Sequence, residues 1–213
     1  MSYSKLIRLG GLAAMVGGVL YAGVGLLVGR LAEKLAFVIP IGNIGYVFIV
    51  VSLPLGAMAA ILALYGLHRG RYGRAGLVLC LTAFLGLALT TGALTLRVIA
   101  TYPISAFPDL AWIFSWLLLW GLLVATLGIV LLGALSAAWQ IVPAWCGVAL
   151  IAGSPLGVLL TMIPTAALVG GPPIGILIGR AFQALGGLLW VVVGYYIFRA
   201  AGGGLTERPA RVR

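Results

Sequence analysis

The chain has 213 residues, of which 63% are hydrophobic and only 8% are charged. Its mean hydropathy is +1.24, and so few polar side chains cannot cover the surface of a water-soluble protein of this length. The composition therefore excludes a soluble globular protein and indicates an integral membrane protein. The formal net charge of +10 then favours contact with anionic lipid headgroups over nucleic acid, because the sequence contains no nucleic-acid-binding motif.

Charge-free stretches between basic residues predict the transmembrane helices. The first stretch lies between Arg8 and Arg30, and at about 1.5 Å per residue it can cross a hydrocarbon core of about 30 Å. Its apolar run is longer than that of a signal peptide, so we expect an uncleaved first helix. Five more stretches follow, and the sequence predicts an all-α membrane bundle of six spans at about 9–29, 44–67, 75–96, 111–135, 142–163 and 176–198.

Two segments lie outside the predicted spans. Pro40, Gly42 and Asn43 interrupt the apolar run before the second span, so residues 31–42 are predicted to form an interfacial or re-entrant piece. The membrane domain comprises residues 1–199. Residues 200–213 combine glycines, a proline and arginines, which predicts a flexible basic cytoplasmic tail.

The basic residues predict the orientation. A cytoplasmic N-terminus places nine of them inside and four outside, and the positive-inside rule therefore favours both termini in the cytoplasm. Arginine greatly outnumbers lysine, and glycine and alanine are abundant, as is typical of high-GC prokaryotes, so we expect a prokaryotic cytoplasmic (inner) membrane. The four outer basic residues are Arg30, Lys34, Arg97 and Arg180.

Two helical hairpins have similar sequences. "YGLHRGRYGRAGLVLCL" and "LGALSAAWQIVPAWCGVAL" each combine a helix, a short cytoplasmic turn and a second helix. The pair is either a duplicated hairpin, as in some transporters, or two independent hairpins with the same Gly/Ala/Leu-rich composition.

The second hairpin resembles a family of uncharacterised bacterial six-span membrane proteins, a domain of unknown function. Gly133, Pro143 and Gly147 fall where that family tends to carry glycine, proline and glycine, and "RLGGLAAMVGGVLY" is similar to its first helix. The resemblance covers part of the chain. It implies the fold and the location, and it implies no activity.

Small residues recur every four positions in the first and last helices. They form a groove that lets a second helix approach closely, either within the chain or in a homodimer, with the polar Gln183 needing a partner across the interface. The two sets are Gly10, Ala14, Gly18 and Ala22, and Gly175, Gly179, Gln183 and Gly187.

Residue types needed for catalysis are scarce. One histidine, His68, and three acids, Glu33, Asp109 and Glu207, cannot supply histidine-rich metal or haem sites or a carboxylate pair inside the membrane. We therefore predict no catalytic residue, no metal site and no cofactor. His68 is expected to contact headgroups. Cys80 and Cys146 are interpreted as small apolar residues.

Polar and aromatic residues gather at the predicted outer side. Their spacing suggests an outer cleft for an amphiphile with an anionic head, with arginine at its mouth and a tryptophan wall. The alternative is arginines that snorkel to the headgroups and lipid-facing tryptophans. The cleft residues are Arg97, Asp109, Trp112, Trp116, Trp120, Arg180 and Gln183.

Three functions are then open. The first is a non-catalytic multi-pass protein, either lipid-associated or an accessory subunit of a larger membrane complex or homo-oligomer. The second is a transporter or binding protein for a small amphiphilic or anionic solute, favoured by the hairpin pair and by a helix break at Pro155 and Gly157. A membrane enzyme is third, because acids, bases and metal ligands are nearly missing.

Overall fold

The computed structural model describes residues 3–35, 41–99, 108–154 and 172–203, with side chains over 3–23, 51–96, 112–154, 181 and 184–203. This part of the chain is helical apart from short turns, which confirms an all-α protein. Its six helices are α1 (Tyr3–Leu35), α2 (Ile41–Leu67), α3 (Arg69–Ile99), α4 (Pro108–Ala138), α5 (Ala144–Ala152) and α6 (Pro172–Ala200).

Three stretches within these helices are long and apolar enough to cross a membrane. They are Tyr3–Gly23 in α1, Arg69–Leu96 in α3 and Trp112–Ala138 in α4. Shorter apolar stretches lie at Val51–Leu67 in α2 and Ala184–Ala200 in α6. The chain is thus a membrane protein by the length and composition of its described helices.

The first helix is longer than its predicted span. It runs to Leu35, so residues 31–35 continue a helix and do not begin a separate interfacial piece, while residues 36–40 lie outside the described part. Charges end the apolar run at Arg30 without ending the helix, because Arg, Glu and Lys are good helix formers.

The fifth helix is much shorter than the predicted span 142–163. It covers the nine residues Ala144–Ala152, about 13 Å at the helical rise, and residues 155–163 lie outside the described part. Gly153 and Ser154 turn the chain, with the N–H of Ser154 donating to the carbonyl of Ile151 at 3.2 Å. Pro155 follows, and it has no N–H to continue the helical ladder.

Neighbouring helices in the chain are neighbours in space. Each helix from α1 to α4 packs on the next, α5 joins α4 and α6, and α6 packs along α1 and touches α2. The core between them is apolar and contains both cysteines, as predicted. Its fully buried members include Ile61, Leu64, Cys80, Ile129, Leu132, Cys146, Leu150 and Ile197.

Small residues of α1 pack against two different helices. A Cβ added to Gly10 would lie 2.6 Å from the Cβ of Ala63 in α2, whereas one added to Gly18 would collide with the carbonyl oxygen of Gly187 in α6. The predicted four-residue repeat is therefore divided between α2 and α6. In the described residues it packs helices of the same chain.

Candidate functional site

One end of the bundle carries the charged side chains among those that the structure describes. The Tyr3 hydroxyl near the start of α1 donates to the carbonyl of Gly66 at 2.9 Å, and the Arg8 guanidinium lies 5.7 Å from the centre of the Phe198 ring in α6. The turns α2–α3 and α4–α5 meet at the same end. We call its exposed basic side chains the basic face: Lys5, Arg8, Arg69, Arg71, Arg74 and Arg199.

His68, in the turn between α2 and α3, connects this turn to α6. Its Nε2 lies 3.1 Å from the hydroxyl of Tyr196 in α6, the two rings stack at 6.2 Å, and Tyr72 meets the imidazole edge-on. Burial, followed by the nearby Arg71 charge, lowers the pKa of His68 to about 4. The prediction of a headgroup-contacting histidine is thus corrected in part, since the ring is half-buried and bonded within the protein.

The environment of His68 predicts that the folded protein loses stability in acid. An imidazole titrates near pH 6.5 in an unfolded chain and near pH 4 in the folded one, so the unfolded state binds more protons between these values. The His68 contribution to stability is therefore complete above about pH 6.5 and is lost as the pH falls through about 4. We expect the melting temperature to drop from pH 7.5 to pH 5 in the untagged wild type, by thermal unfolding in detergent.

His68→Phe is the matched variant, because it keeps a stacking ring and removes the titrating group. Its melting temperature should change much less over the same pH interval. An equal drop in both proteins would assign the acid sensitivity to other groups.

Arg71 and Tyr72 hold the end of α4. Tyr72 is buried and its hydroxyl lies 2.7 Å from that of Ser136. The Arg71 guanidinium donates to the carbonyl of Gln140 at 2.9 Å, with longer bonds to the two flanking carbonyls. Cations stabilise the negative end of a helix dipole. No local sequence pattern indicates these contacts, because they join residues 69 and 64 positions apart along the chain.

The α4 terminus itself is a Schellman turn. Gln140 adopts φ 51°, its N–H donates to Ala137, and the N–H of Ile141 donates to Ser136 at 2.9 Å. This closes the helix with a left-handed residue. The turn then presents a cavity of about 500 Å³ lined by Gln140, Ile141, Val142, Pro143, Ala144 and Tyr196.

Tryptophans flank this cavity and recur at the far end of α4. Trp139 and Trp145 are exposed beside it, at 51% and 49%. At the other end Trp112, Trp116 and Trp120 are exposed by 66%, 42% and 57%, and the first two rings meet edge-to-face. At the rise per residue of an α-helix, Trp116 and Trp139 are about 35 Å apart along the axis of α4. This distance is slightly more than the thickness of a hydrocarbon core.

The predicted outer cleft stays a prediction. Arg97, Asp109, Arg180 and Gln183 lie on α3, α4 and α6, but their side chains are outside the described ones. In the described part α3 packs on α4, while α4 and α6 are not in contact. Among the predicted cleft residues, the described side chains are those of Trp112, Trp116 and Trp120, which are exposed on the surface of one helix, α4.

A second cavity lies between α1 and α2. Its volume is about 470 Å³, and its lining includes Tyr3, Leu6, Gly10, Leu62 and Gly66. Small residues create the groove because their side chains leave room between the helices. It begins at the basic end, where the Tyr3 hydroxyl meets Gly66.

Comparisons with protein-family models, curated proteins and solved structures gave no match. The resemblance to the six-span family therefore stays a prediction. Among the described residues, no three His, Cys, Asp or Glu side chains are grouped as metal ligands.

Proposed function

We propose that this chain is a non-catalytic, six-span protein of a prokaryotic cytoplasmic membrane that retains anionic lipids at its cytoplasmic side. Both termini and the turns α2–α3 and α4–α5 lie on that side. The observation that carries the proposal is the basic face, six exposed cations at the end of the bundle where two largely apolar cavities also open.

The chemistry of the basic face suits a phospholipid. Exposed cations near the membrane surface attract anionic headgroups by about 1 kcal/mol each. Below them, exposed leucines and valines on α1, α3 and α4 continue the apolar surface that acyl chains contact. Trp139 and Trp145 lie at the boundary, where indole rings prefer to reside.

Lipid retention tests this function. We expect the double variant Arg69→Gln/Arg74→Gln to retain anionic phospholipid on the order of tenfold less than the wild type, because two headgroup-attracting charges are lost. The measurement is lipid analysis and native mass spectrometry of protein extracted gently in detergent. Both arginine side chains are exposed and make no side-chain hydrogen bond within the described part of the chain, so folding should be retained.

The matched control is Arg97→Gln/Arg180→Gln, which removes the same charge from the predicted opposite side. It should leave anionic lipid retention unchanged. Equal losses in the two double variants would contradict a specific role of the basic face. Selective loss of a bound small molecule in the control would instead support the outer cleft.

A transporter or binding protein for a small amphiphilic or anionic solute is the second candidate. The end of α5 at Ala152 favours it, because discontinuous helices near the membrane centre often line binding sites. Recovery of the chain only within a larger complex would instead favour an accessory subunit, and recovery of homo-oligomers would favour a self-association surface.

A further inference from the structure

The cavity at the turn α4–α5 has the size of a ligand site. Its volume of about 500 Å³ falls within the range of small-molecule pockets, roughly 300–1,000 Å³. Its walls are the turn itself, from Gln140 to Ala144, and Tyr196 of α6. The lining is more polar than that of the cavity between α1 and α2. A polar headgroup is therefore better accommodated at the α4–α5 turn.

Arg71 brings a positive charge to the wall of this cavity. Its guanidinium donates to the carbonyls of Gln140 and Ile141, at 2.9 and 3.4 Å, and both residues line the cavity. A third bond goes to the carbonyl of Trp139 at 3.4 Å. A guanidinium has more N–H donors than these three bonds use, and the Arg71 side chain is exposed. Among the described contacts, donors of Arg71 therefore remain for a ligand at the cavity wall.

Tyr196 forms the α6 side of the cavity and is fixed by two neighbouring elements. It is 6% exposed, and its hydroxyl lies 3.1 Å from Nε2 of His68 in the α2–α3 turn. The ring of Trp145 in α5 meets the Tyr196 ring edge-on at 5.8 Å. These contacts position the wall without a ligand. The cavity is therefore preformed, which lowers the cost of binding.

An apolar surface of α5 continues from the cavity along the helix. Trp145, Val148 and Ile151 are exposed and are spaced three apart, so they lie on one side of α5. The buried side of α5 packs on α4 and α6. The helix begins at Ala144 in the cavity wall and is about 13 Å long, close to half of a hydrocarbon core of about 30 Å. This surface therefore matches the depth of one lipid leaflet.

We infer that the cavity at the α4–α5 turn binds the headgroup of one anionic phospholipid, with Arg71 donating to its phosphate and the exposed side of α5 contacting an acyl chain. The inference rests on the proposed function and assigns one defined site within it. Bonds between guanidinium and phosphate are charge-assisted and often bidentate. An anionic lipid is favoured over a zwitterionic one, because the basic face repels the choline group of the latter.

The test titrates the delipidated full-length protein in detergent with phosphatidylglycerol or phosphatidylcholine, and native mass spectrometry measures binding of the first lipid. We expect the wild type to bind the first phosphatidylglycerol about tenfold more tightly than phosphatidylcholine. Ala144→Leu places a larger side chain in the cavity wall and should weaken this binding by about tenfold. Arg71→Lys keeps the charge but loses the planar fork of donors, and we expect a similar loss.

Ala75→Leu is the matched control, because it makes the same change at an exposed position of α3 that does not line the cavity. It should bind the first phosphatidylglycerol as the wild type does. Wild-type affinity in Ala144→Leu or in Arg71→Lys, or equal binding of the two lipids by the wild type, would overturn the site. Displacement of the first lipid by millimolar inorganic phosphate would also overturn it, and would assign the cavity to a soluble phosphate.

The design separates this site from the proposed function. Ala144→Leu and Arg71→Lys keep every charge of the basic face, so they test the cavity alone. The double variant Arg69→Gln/Arg74→Gln keeps the cavity and tests general lipid retention. Failure of one pair of measurements therefore leaves the other interpretable.

Discussion

A Gly18→Ala variant is expected to lose about 3 kcal/mol of unfolding free energy. The added methyl would collide with the backbone carbonyl of Gly187 and approach Val191 at 3.0 Å. Backbone atoms cannot rotate away as a side chain can, so α1 and α6 must separate along their contact. Helix packing in a membrane depends on such close approach, because lipid supplies no hydrophobic driving force between helices. Reversible unfolding in mixed detergent measures the loss.

Gly23→Ala is the control on the same helix. A Cβ at Gly23 would meet no atom of another described helix within 4 Å, and alanine favours a helix over glycine by up to about 1 kcal/mol. This variant should be neutral or slightly stabilised, so the two substitutions differ in sign. Equal effects at Gly18 and Gly23 would show that the α1–α6 contact does not require glycine.

A Trp190→Ala variant is expected to lose about 3 kcal/mol or more. Trp190 is 3% exposed in the core, and its indole N–H donates to the Gly153 carbonyl at 2.9 Å. Truncation would leave a cavity between α5 and α6 and a buried carbonyl without its donor. Trp190→Phe should lose about 1–2 kcal/mol, because it removes chiefly the hydrogen bond.

Trp120→Ala is the corresponding control. Trp120 is 57% exposed on the outer surface of α4, where lipid can replace the indole, so its loss should change stability by less than about 0.5 kcal/mol. A large effect at Trp120 would instead indicate that this surface contacts another protein or a tightly bound molecule. The same unfolding assay compares all three variants.

Predictions that depended on local patterns include the fold class, and the described residues confirm an all-α protein. Helices α2, α3, α4 and α6 cover the apolar runs of the predicted spans and extend up to six residues beyond them. Cys80 and Cys146 are buried in the core, as expected for small apolar side chains. The outer cleft is different, because four of its seven side chains lie outside the described ones.

The hydropathy pattern did not indicate the end of α5 at Ala152, because that end depends on a backbone turn. Apolar residues continue beyond Gly153, Ser154 and Pro155, so a wide window of mean hydropathy does not detect the end of α5. Gly153 and Pro155 are the residues near this point that indicate a helix end. The indole of Trp190 in α6 stabilises that end through its hydrogen bond to the Gly153 carbonyl. The helix break predicted at Pro155 and Gly157 lies outside the described residues, and the described turn at Gly153 and Ser154 comes directly before Pro155, as a proline disfavours helix in the residues before it.

The sequence by itself determined that the chain is an α-helical membrane protein, because helix-forming apolar runs satisfy their own backbone hydrogen bonds and need no distant partner. Only the tertiary structure decided which groups meet at a site. His68 pairs with Tyr196 across 128 positions, and the repeat of small residues in α1 divides between α2 and α6. These contacts follow from helix register and rotation, which are set by packing of all helices together and leave no local pattern in any one of them.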